Sequence, residues 1–407
     1  MKIVLINKFL YPKGGDAIST LNTGKLLTSK GHKVFFWGMH HLSNPPYPLQ
    51  EYFVNYVDLN NLKGIRRKFQ VAVNMFYSFE AKEKIQKFIE IEKPNIIHLH
   101  NFAHQISPSI LDVFKKYKIP TIMTMHDYKL VCPVYTLYSN NKPCERCKDG
   151  RFYQCTINKC TKNSLAKSFL NTLEMYFHHK FLHIYDLVGI YISPSRFLKN
   201  KVEEMGLKGE VVYLPNFINL DEYTPQYNSE EKSIIYFGRL SQEKGLLTLV
   251  EAMKGLDIKL KIIGDGPLKE TLEYKVKEEK IENIEFLGYL GGEQLKKNVR
   301  KAMFVVLPSE WYENNPLSII EGFALGKPAI GARIGGIPEL VKDNETGLTF
   351  EAGNAEDLRQ KIEDLISDPN KVEQMGKIAR KLVEQEFNRE KHYESLIAIY
   401  QQAIRDG

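Results

Sequence analysis

Short apolar runs alternate with longer amphipathic stretches along the whole chain. Runs at residues 2–6, 33–37, 96–100, 120–125 and 188–192 are short and largely apolar and read as buried strands. Between them, residues 17–30 and 106–116 carry apolar positions at helical spacing. The pattern then restarts, with strands at 233–237, 260–263, 284–286 and 304–307 and helices at 246–253, 269–279 and 317–324. Strand–helix alternation of this kind predicts parallel sheets with helices on both faces. The two halves are separated by Leu214-Pro215-Asn216 and a polar stretch through Ser229, a linker composition. The fold class is therefore α/β, with two doubly wound Rossmann-like domains, 1–213 and 214–387. In such sheets ligands bind beyond the carboxyl ends of the strands, and two such domains face to face would make a central cleft.

The composition agrees with that picture. A chain of 407 residues that is 43% hydrophobic can fill two cores. No stretch approaches ~18 uninterrupted apolar residues, so no membrane span is predicted. The opening run Met1–Ile6 is followed at once by Asn7 and Lys8, without a small-residue cleavage site; it reads as a first strand rather than a leader, in a cytoplasmic protein. The net charge of +7 divides unevenly. Residues 1–213 hold 30 Lys and Arg against 16 Asp and Glu, whereas the remainder is acidic. A basic first half fits an anionic partner, either acidic lipid or a phosphorylated acceptor. No nucleic-acid-binding motif is present.

Two segments of the second half carry the sharpest chemistry. In the first, Glu313 and Glu321 flank seven residues, Asn314-Asn315-Pro316-Leu317-Ser318-Ile319-Ile320, across a loop-to-helix junction. A helix start offers free N–H groups near Leu317 and Ser318 to a diphosphate. A carboxylate beside it can accept hydrogen bonds from sugar or ribose hydroxyls. In the second, Phe237-Gly238-Arg239-Leu240-Ser241-Gln242-Glu243-Lys244-Gly245 follows a strand and sets two cations five residues apart. Arg can clamp phosphate with its fork and Lys can act as a point charge. In isolation, each pair would also suit an ordinary charged surface.

Glu313 through Pro328, continuing into Gly335-Gly336-Ile337-Pro338-Glu339, resembles the signature of the retaining, glycogen-synthase-like GT-B glycosyltransferases (group 1, family 4). The resemblance spans essentially the whole chain and is strongest over 233–350. It implies a GT-B fold and hexosyl transfer from a nucleotide-sugar donor. It also implies that Glu313 contacts the donor sugar and Glu321 the ribose. Arg239 and Lys244 would hold the diphosphate, together with the segment Asn315-Pro316-Leu317-Ser318. Gly14 and Gly15, in the loop after the first strand, would face the diphosphate and the reacting sugar. Gly266, in Gly264-Asp265-Gly266-Pro267, would lie near the base. His126, closing the run 120–125, would lie close to the donor sugar. His100 and Asp127 are acceptor-side candidates; for Asp127 a local capping hydrogen bond is the plainer reading. The tail, 388–407, resembles the family's last helix, which returns to the first domain.

All five cysteines, Cys132, Cys144, Cys147, Cys155 and Cys160, fall within 132–160. Four of them could hold a structural zinc that staples an insertion, or all could be thiols in an irregular loop, with an iron–sulfur cluster as a minor third alternative. Transfer itself would require no cofactor, since Arg239 and Lys244 can neutralise the diphosphate. Lys63-Gly64-Ile65-Arg66-Arg67-Lys68-Phe69 precedes Val71, Val73, Met75, Phe76 and Phe79, a basic apolar stretch suited to an anionic membrane surface at the inner face of the cell membrane. The resemblance implies a lipid-linked or glycan acceptor in cell-surface polysaccharide or glycolipid synthesis. The donor would be a UDP-sugar, with GDP-mannose next. The alternatives are a nucleotide-sugar epimerase of the same fold and a non-catalytic nucleotide-sugar-binding subunit.

Overall fold

A computed structural model describes every residue except Asn60, Leu62 and Gly407, the last of which ends the expected tail. The chain divides into two compact units. One comprises Met1–Thr136, Glu145–Leu214 and His392–Gly407; the other comprises Leu137–Cys144 and Pro215–Lys391. The break at Leu214 lies beside the expected linker. Leu137–Cys144, read from sequence as part of the first domain's insertion, groups with the second unit instead.

The strands of the first unit are β1 (Lys2–Ile6), β2 (Lys33–Trp37), β3 (Ile96–Leu99) and β4 (Thr121–Thr124). After them come β5 (Tyr138–Ser139) and β6 (Lys142–Pro143), a separate antiparallel ribbon, and then β7 (Ile190–Ser193) and β8 (Glu210–Tyr213) of the first unit. The first sheet is parallel, in the order β2-β1-β3-β4-β7-β8. Its strands read as nearly continuous apolar runs because helices cover both faces. The final helix, Arg389–Asp406, buries Leu396, Tyr400 and Ala403 among Ile3, Leu5, Ile96 and Ile122. Spacings of four and three put those residues on one helical stripe.

The second unit holds β9 (Ser233–Phe237), β10 (Lys259–Ile263), β11 (Ile284–Gly288), β12 (Val305–Leu307), β13 (Ala329–Ala332) and β14 (Gly347–Phe350). This sheet too is parallel, in the order β11-β10-β9-β12-β13-β14. Strand order reverses between β1 and β3 in one sheet and between β9 and β12 in the other. Loops leaving such a pair diverge and open a crevice at the carboxyl end.

The helix expected over 106–116 is divided. Ser107 adopts φ 79° and caps a short turn, Pro108–Ile110, before the helix Leu111–Lys116 begins. Pro108 has no N–H with which to continue an earlier helix.

Candidate active site

In the second unit the two crevice loops lie against each other. After β9, the Tyr236 hydroxyl donates to the Arg239 carbonyl at 2.8 Å and fixes the turn. Lys244 follows on the short turn Gln242–Lys244. Its Nζ lies 2.6 Å from Glu313 Oε1 and 5.0 Å from the centre of the Trp311 ring. Ser309, directly after β12, donates to the same Glu313 oxygen at 2.6 Å. Glu313 is only 5% exposed. Burial alone would push its carboxyl upward, but the Lys244 charge and the bonds from Lys244 and Ser309 outweigh burial and hold it below the usual carboxylate range. Arg239 is exposed and makes no ion pair among the described residues, so its guanidinium is available to an anion.

The helix Leu317–Ala324 starts directly after Pro316. Pro316 supplies its carbonyl to Ile319 at 3.1 Å, and the N–H groups of Leu317 and Ser318 find no acceptor among the described residues. Asn315 Oδ1 accepts from Asn216 Nδ2 at 3.0 Å. One turn into the helix, Glu321 accepts from the Tyr223 hydroxyl at 3.1 Å. Burial pushes the Glu321 carboxyl upward, against the Tyr223 bond and the Lys296 charge. The two glutamates are therefore shifted in opposite directions, one held as an anion by a cation and the other held by a phenol. Gly266 sits in the loop after β10, where the Asp265 carbonyl accepts from Leu240 N at 2.9 Å and braces the Arg239 turn.

Gly335 and Gly336 close the site from behind. Gly336 N–H donates to the Glu313 carbonyl at 2.7 Å. A Cβ on Gly336 would lie 1.9 Å from the Asn314 carbonyl oxygen, and one on Gly335 would lie 2.5 Å from Glu313 backbone atoms. Only glycines let this segment support the Glu313 loop so closely.

In the first unit, the loop after β1 is tied to the loop after β3. Lys8 N–H donates to the Asn101 carbonyl at 2.8 Å, and Asn101 N–H donates to Asn7 Oδ1 at 2.9 Å. Tyr11 stacks on His41 at 4.3 Å. Gly14 is extended (φ −171°), a backbone open to any residue, and Gly15 begins the helix Gly15–Ser29. Gly14 thus needs no unusual conformation, and a Cβ there would lie 3.2 Å from Asp16 Oδ1.

His98, His100 and His126 form a stacked column. His98 is buried between Thr124 Oγ1 at 2.7 Å and the Tyr400 hydroxyl at 2.8 Å, and burial lowers it to about 3. His100 Nδ1 and His126 Nε2 share a hydrogen bond of 2.8 Å, and burial lowers both rings. One neutral ring must therefore donate and the other accept. His100 is buried, and its Nε2 has no protein partner among the described residues. A cavity of about 20 Å³, lined by His100, His126, Asp127 and Lys129, lies beside the pair. That is room for one water. Asp127 Oδ1 accepts from Lys129 N–H at 2.9 Å, the local turn bond that was its plainer reading. Behind this loop, Lys129 Nζ meets Glu174 Oε2 at 2.7 Å, with both side chains buried. The sequence reading missed Ser309, Tyr223 and this buried pair.

No disulfide joins the cysteines. Cys132, Cys147 and Cys155 are buried, while Cys144 and Cys160 are partly exposed. Cys155 and Cys160 interact through their side chains. Among the described residues, no group of three or more His, Cys, Asp or Glu side chains is arranged to hold a metal ion. Among the same residues, no helix is long and apolar enough to cross a membrane.

Two doubly wound units, with a Lys–Glu pair and open helix N–H groups at the second unit's switch point, define a protein of the GT-B fold. Residues 13–222 match the model of Glycosyltransferase Family 4, more than half of the chain, and residues 221–382 match that of Glycosyl transferases group 1. The chain belongs to this family of enzymes. An uncharacterized glycosyltransferase of Methanocaldococcus jannaschii is 32% identical over 186 residues, a match spanning 46% of this chain and 52% of that protein. N-acetyl-alpha-D-glucosaminyl L-malate synthase of Bacillus anthracis is 23% identical over 97% of this chain and 96% of its own. The fold is similar to sucrose-phosphate synthase from Thermosynechococcus elongatus (TM-score 0.74, 19% identity, 100% of both chains). It is also similar to HepE of Anabaena in complex with UDP and glucose (TM-score 0.68, 16% identity, 99% of this chain and 100% of that one).

Proposed function

We propose that this enzyme is a retaining glycosyltransferase that uses a UDP-sugar. Its acceptor would be a lipid-linked or glycan molecule in cell-surface polysaccharide or glycolipid synthesis, met at the inner face of an anionic membrane. The observation that carries the donor half of this reading is the Lys244–Glu313 pair, beside the open N–H groups of Leu317 and Ser318 and the exposed Arg239. UDP in the similar HepE structure supports the choice of base.

In this mechanism Arg239, Lys244 and the helix N–H groups take the diphosphate. Glu321 accepts from the ribose, and Glu313, kept anionic, accepts from the sugar hydroxyls. The bond from the anomeric carbon to the diphosphate oxygen breaks as the acceptor hydroxyl attacks from the same face. The acceptor's proton passes to the departing phosphate oxygen. Charge growing on the leaving diphosphate meets donors and cations already in place, and such preorganised stabilisation is typically the largest catalytic term. Gly14, Gly15 and His126 are assigned to the diphosphate and sugar, and His100 and Asp127 to the acceptor side.

The test is nucleotide release from a panel of UDP-, GDP- and ADP-sugars. UDP should be released from one donor, and the rate should fall ~10²–10³-fold in Lys244→Ala and in Glu313→Ala. Release from a GDP-sugar alone would overturn the UDP assignment. No release and no thermal shift with any donor would overturn the transferase reading of the site.

A further inference from the structure

Two helices of the first unit turn apolar side chains outward. On the helix Ile65–Phe76, Ile65, Phe69 and Val73 recur every fourth residue, with Ile65 87% and Phe69 70% exposed. Val71 and Met75 face inward. The helix Leu165–Tyr176 repeats the device with Leu165, Phe169 and Leu173, all exposed, while Ser168, Asn171, Thr172 and Glu174 are buried. Apart from Met175, which is also buried, that helix hides its polar face and exposes its apolar stripe, the reverse of an ordinary surface helix.

The stripes converge. The Phe76 and Phe177 rings pack at 5.7 Å, and His178 Nε2 bonds the Phe76 carbonyl at 2.8 Å. Phe177 in turn stacks on Phe181, which is 74% exposed. Steps of four residues keep each stripe on one helix face. Because both stripes end at the same aromatic contact, they form one apolar surface with two arms. A patch of this extent on a water-facing surface marks an interaction site.

Cations surround the patch. Lys63, Arg66, Arg67 and Lys68 flank the first arm, and Lys159, Lys167 and Lys180 flank the second; all are exposed. Residues 63–76 contain no Asp or Glu. Residues 157–181 contain only Glu174, which is fully buried against Lys129.

We propose that this two-armed surface docks the enzyme on an anionic lipid bilayer, with the Phe, Leu and Ile side chains entering the acyl boundary and the Lys and Arg side chains lying among the headgroups. A second copy of the chain is the competing occupant. Apposing two such faces would bring cations together with no exposed carboxylate from these segments to offset them. The proposal rests on the transfer reading only for the purpose of docking, which is to bring the site to a membrane-held acceptor. The docking itself is measurable with no donor or acceptor present.

The experiment is flotation of the full chain with vesicles of phosphatidylcholine alone or with added phosphatidylglycerol, at low and high salt. The protein should float with the anionic vesicles at low salt and be largely released at high salt. Phe69→Ser with Phe169→Ser should weaken binding at least ~tenfold, since the removed rings supply buried apolar area. Arg66→Glu with Arg67→Glu should do likewise, because each cation at an anionic surface contributes about fivefold. Circular dichroism and donor-dependent nucleotide release of both variants should match the wild type, which separates lost docking from lost folding. Failure of the wild type to float, or flotation unchanged in both variants, overturns the proposal. A concentration-dependent dimer abolished by the Phe69→Ser and Phe169→Ser changes also overturns it, in favour of self-association. Flotation without nucleotide release from any donor leaves the docking standing and removes the transfer reading instead.

Discussion

Replacing Gly336 with alanine should cost the enzyme most of its activity through a single carbon atom. The backbone there, φ −82° and ψ 0°, suits any residue, so conformational strain is not the issue. The issue is the 1.9 Å approach of the new Cβ to the Asn314 carbonyl oxygen, against the 3.0 Å that real Cβ atoms respect. One side must retreat by about 1.1 Å, the difference between those two distances. The 2.7 Å bond from Gly336 N–H to the Glu313 carbonyl would stretch to the edge of hydrogen-bonding range. Losing it would cost about 1 kcal/mol of stability. The larger effect is on Glu313, whose carboxylate would drift relative to Lys244 and Ser309. In the proposed mechanism Glu313 contacts the donor sugar, and misplacing such a group by ~1 Å costs about 10²-fold in rate.

The measurement is kcat/KM for nucleotide release beside the thermal midpoint, with Gly255→Ala as the control. Gly255 has φ +71° and open space where a Cβ would go, so alanine there brings backbone strain without a clash. It should lose about 1 kcal/mol of stability and no activity. Gly336→Ala should lower the midpoint by only ~2–4 °C per kcal/mol, yet lose about 10²-fold in kcat/KM. Activity of Gly336→Ala within about threefold of the wild type would refute the argument that this glycine sets the Glu313 loop.

Three further outcomes follow from the charged and buried groups. Glu313 sits below its unfolded value, so its pairing stabilises the fold above ~pH 4.3 and that stability is lost as pH falls through the lower folded value; the urea-measured gap between wild type and Glu313→Gln should therefore narrow below about pH 4. His98 is a base pushed down to about 3, so the unfolded chain binds its proton first. His98 alone should make stability fall by about 1.4 kcal/mol per pH unit between ~6.5 and about 3, and His98→Gln should reduce the measured slope by that one proton's worth. Glu174→Leu would strand a buried Lys129 and should cost roughly 3–5 kcal/mol, whereas Glu174→Leu with Lys129→Met should recover most of the loss; equal destabilisation in both, by denaturant titration, would show that the pair is not the source.

Much of the candidate site was legible because its residues lie in short contiguous segments. Glu313 and Glu321 lie on either side of one helix start, and Arg239 and Lys244 share one loop. The residues that tune them were not legible. Ser309 and Tyr223 are ordinary residue types, and Tyr223 reaches Glu321 across 98 positions of sequence. His98 and Tyr400 are 302 positions apart, so the partner that buries one imidazole lies at the far end of the chain. Strands β13 and β14 escaped notice because Ala329–Ala332 and Gly347–Phe350 are short and contain glycine, which dilutes the β-branched signal. The helix Leu165–Tyr176 shows the limit most directly. Leu165, Phe169 and Leu173 have the spacing of a core stripe, and spacing is the same whether a stripe faces protein or solvent. What reverses the helix is the opposite face. Glu174 is drawn inward by Lys129, Asn171 is bonded to Thr161 and Thr172 is bonded to the Phe152 carbonyl, so the polar side is the one that finds partners inside. Once those polar groups are satisfied by burial, the apolar stripe can only point outward.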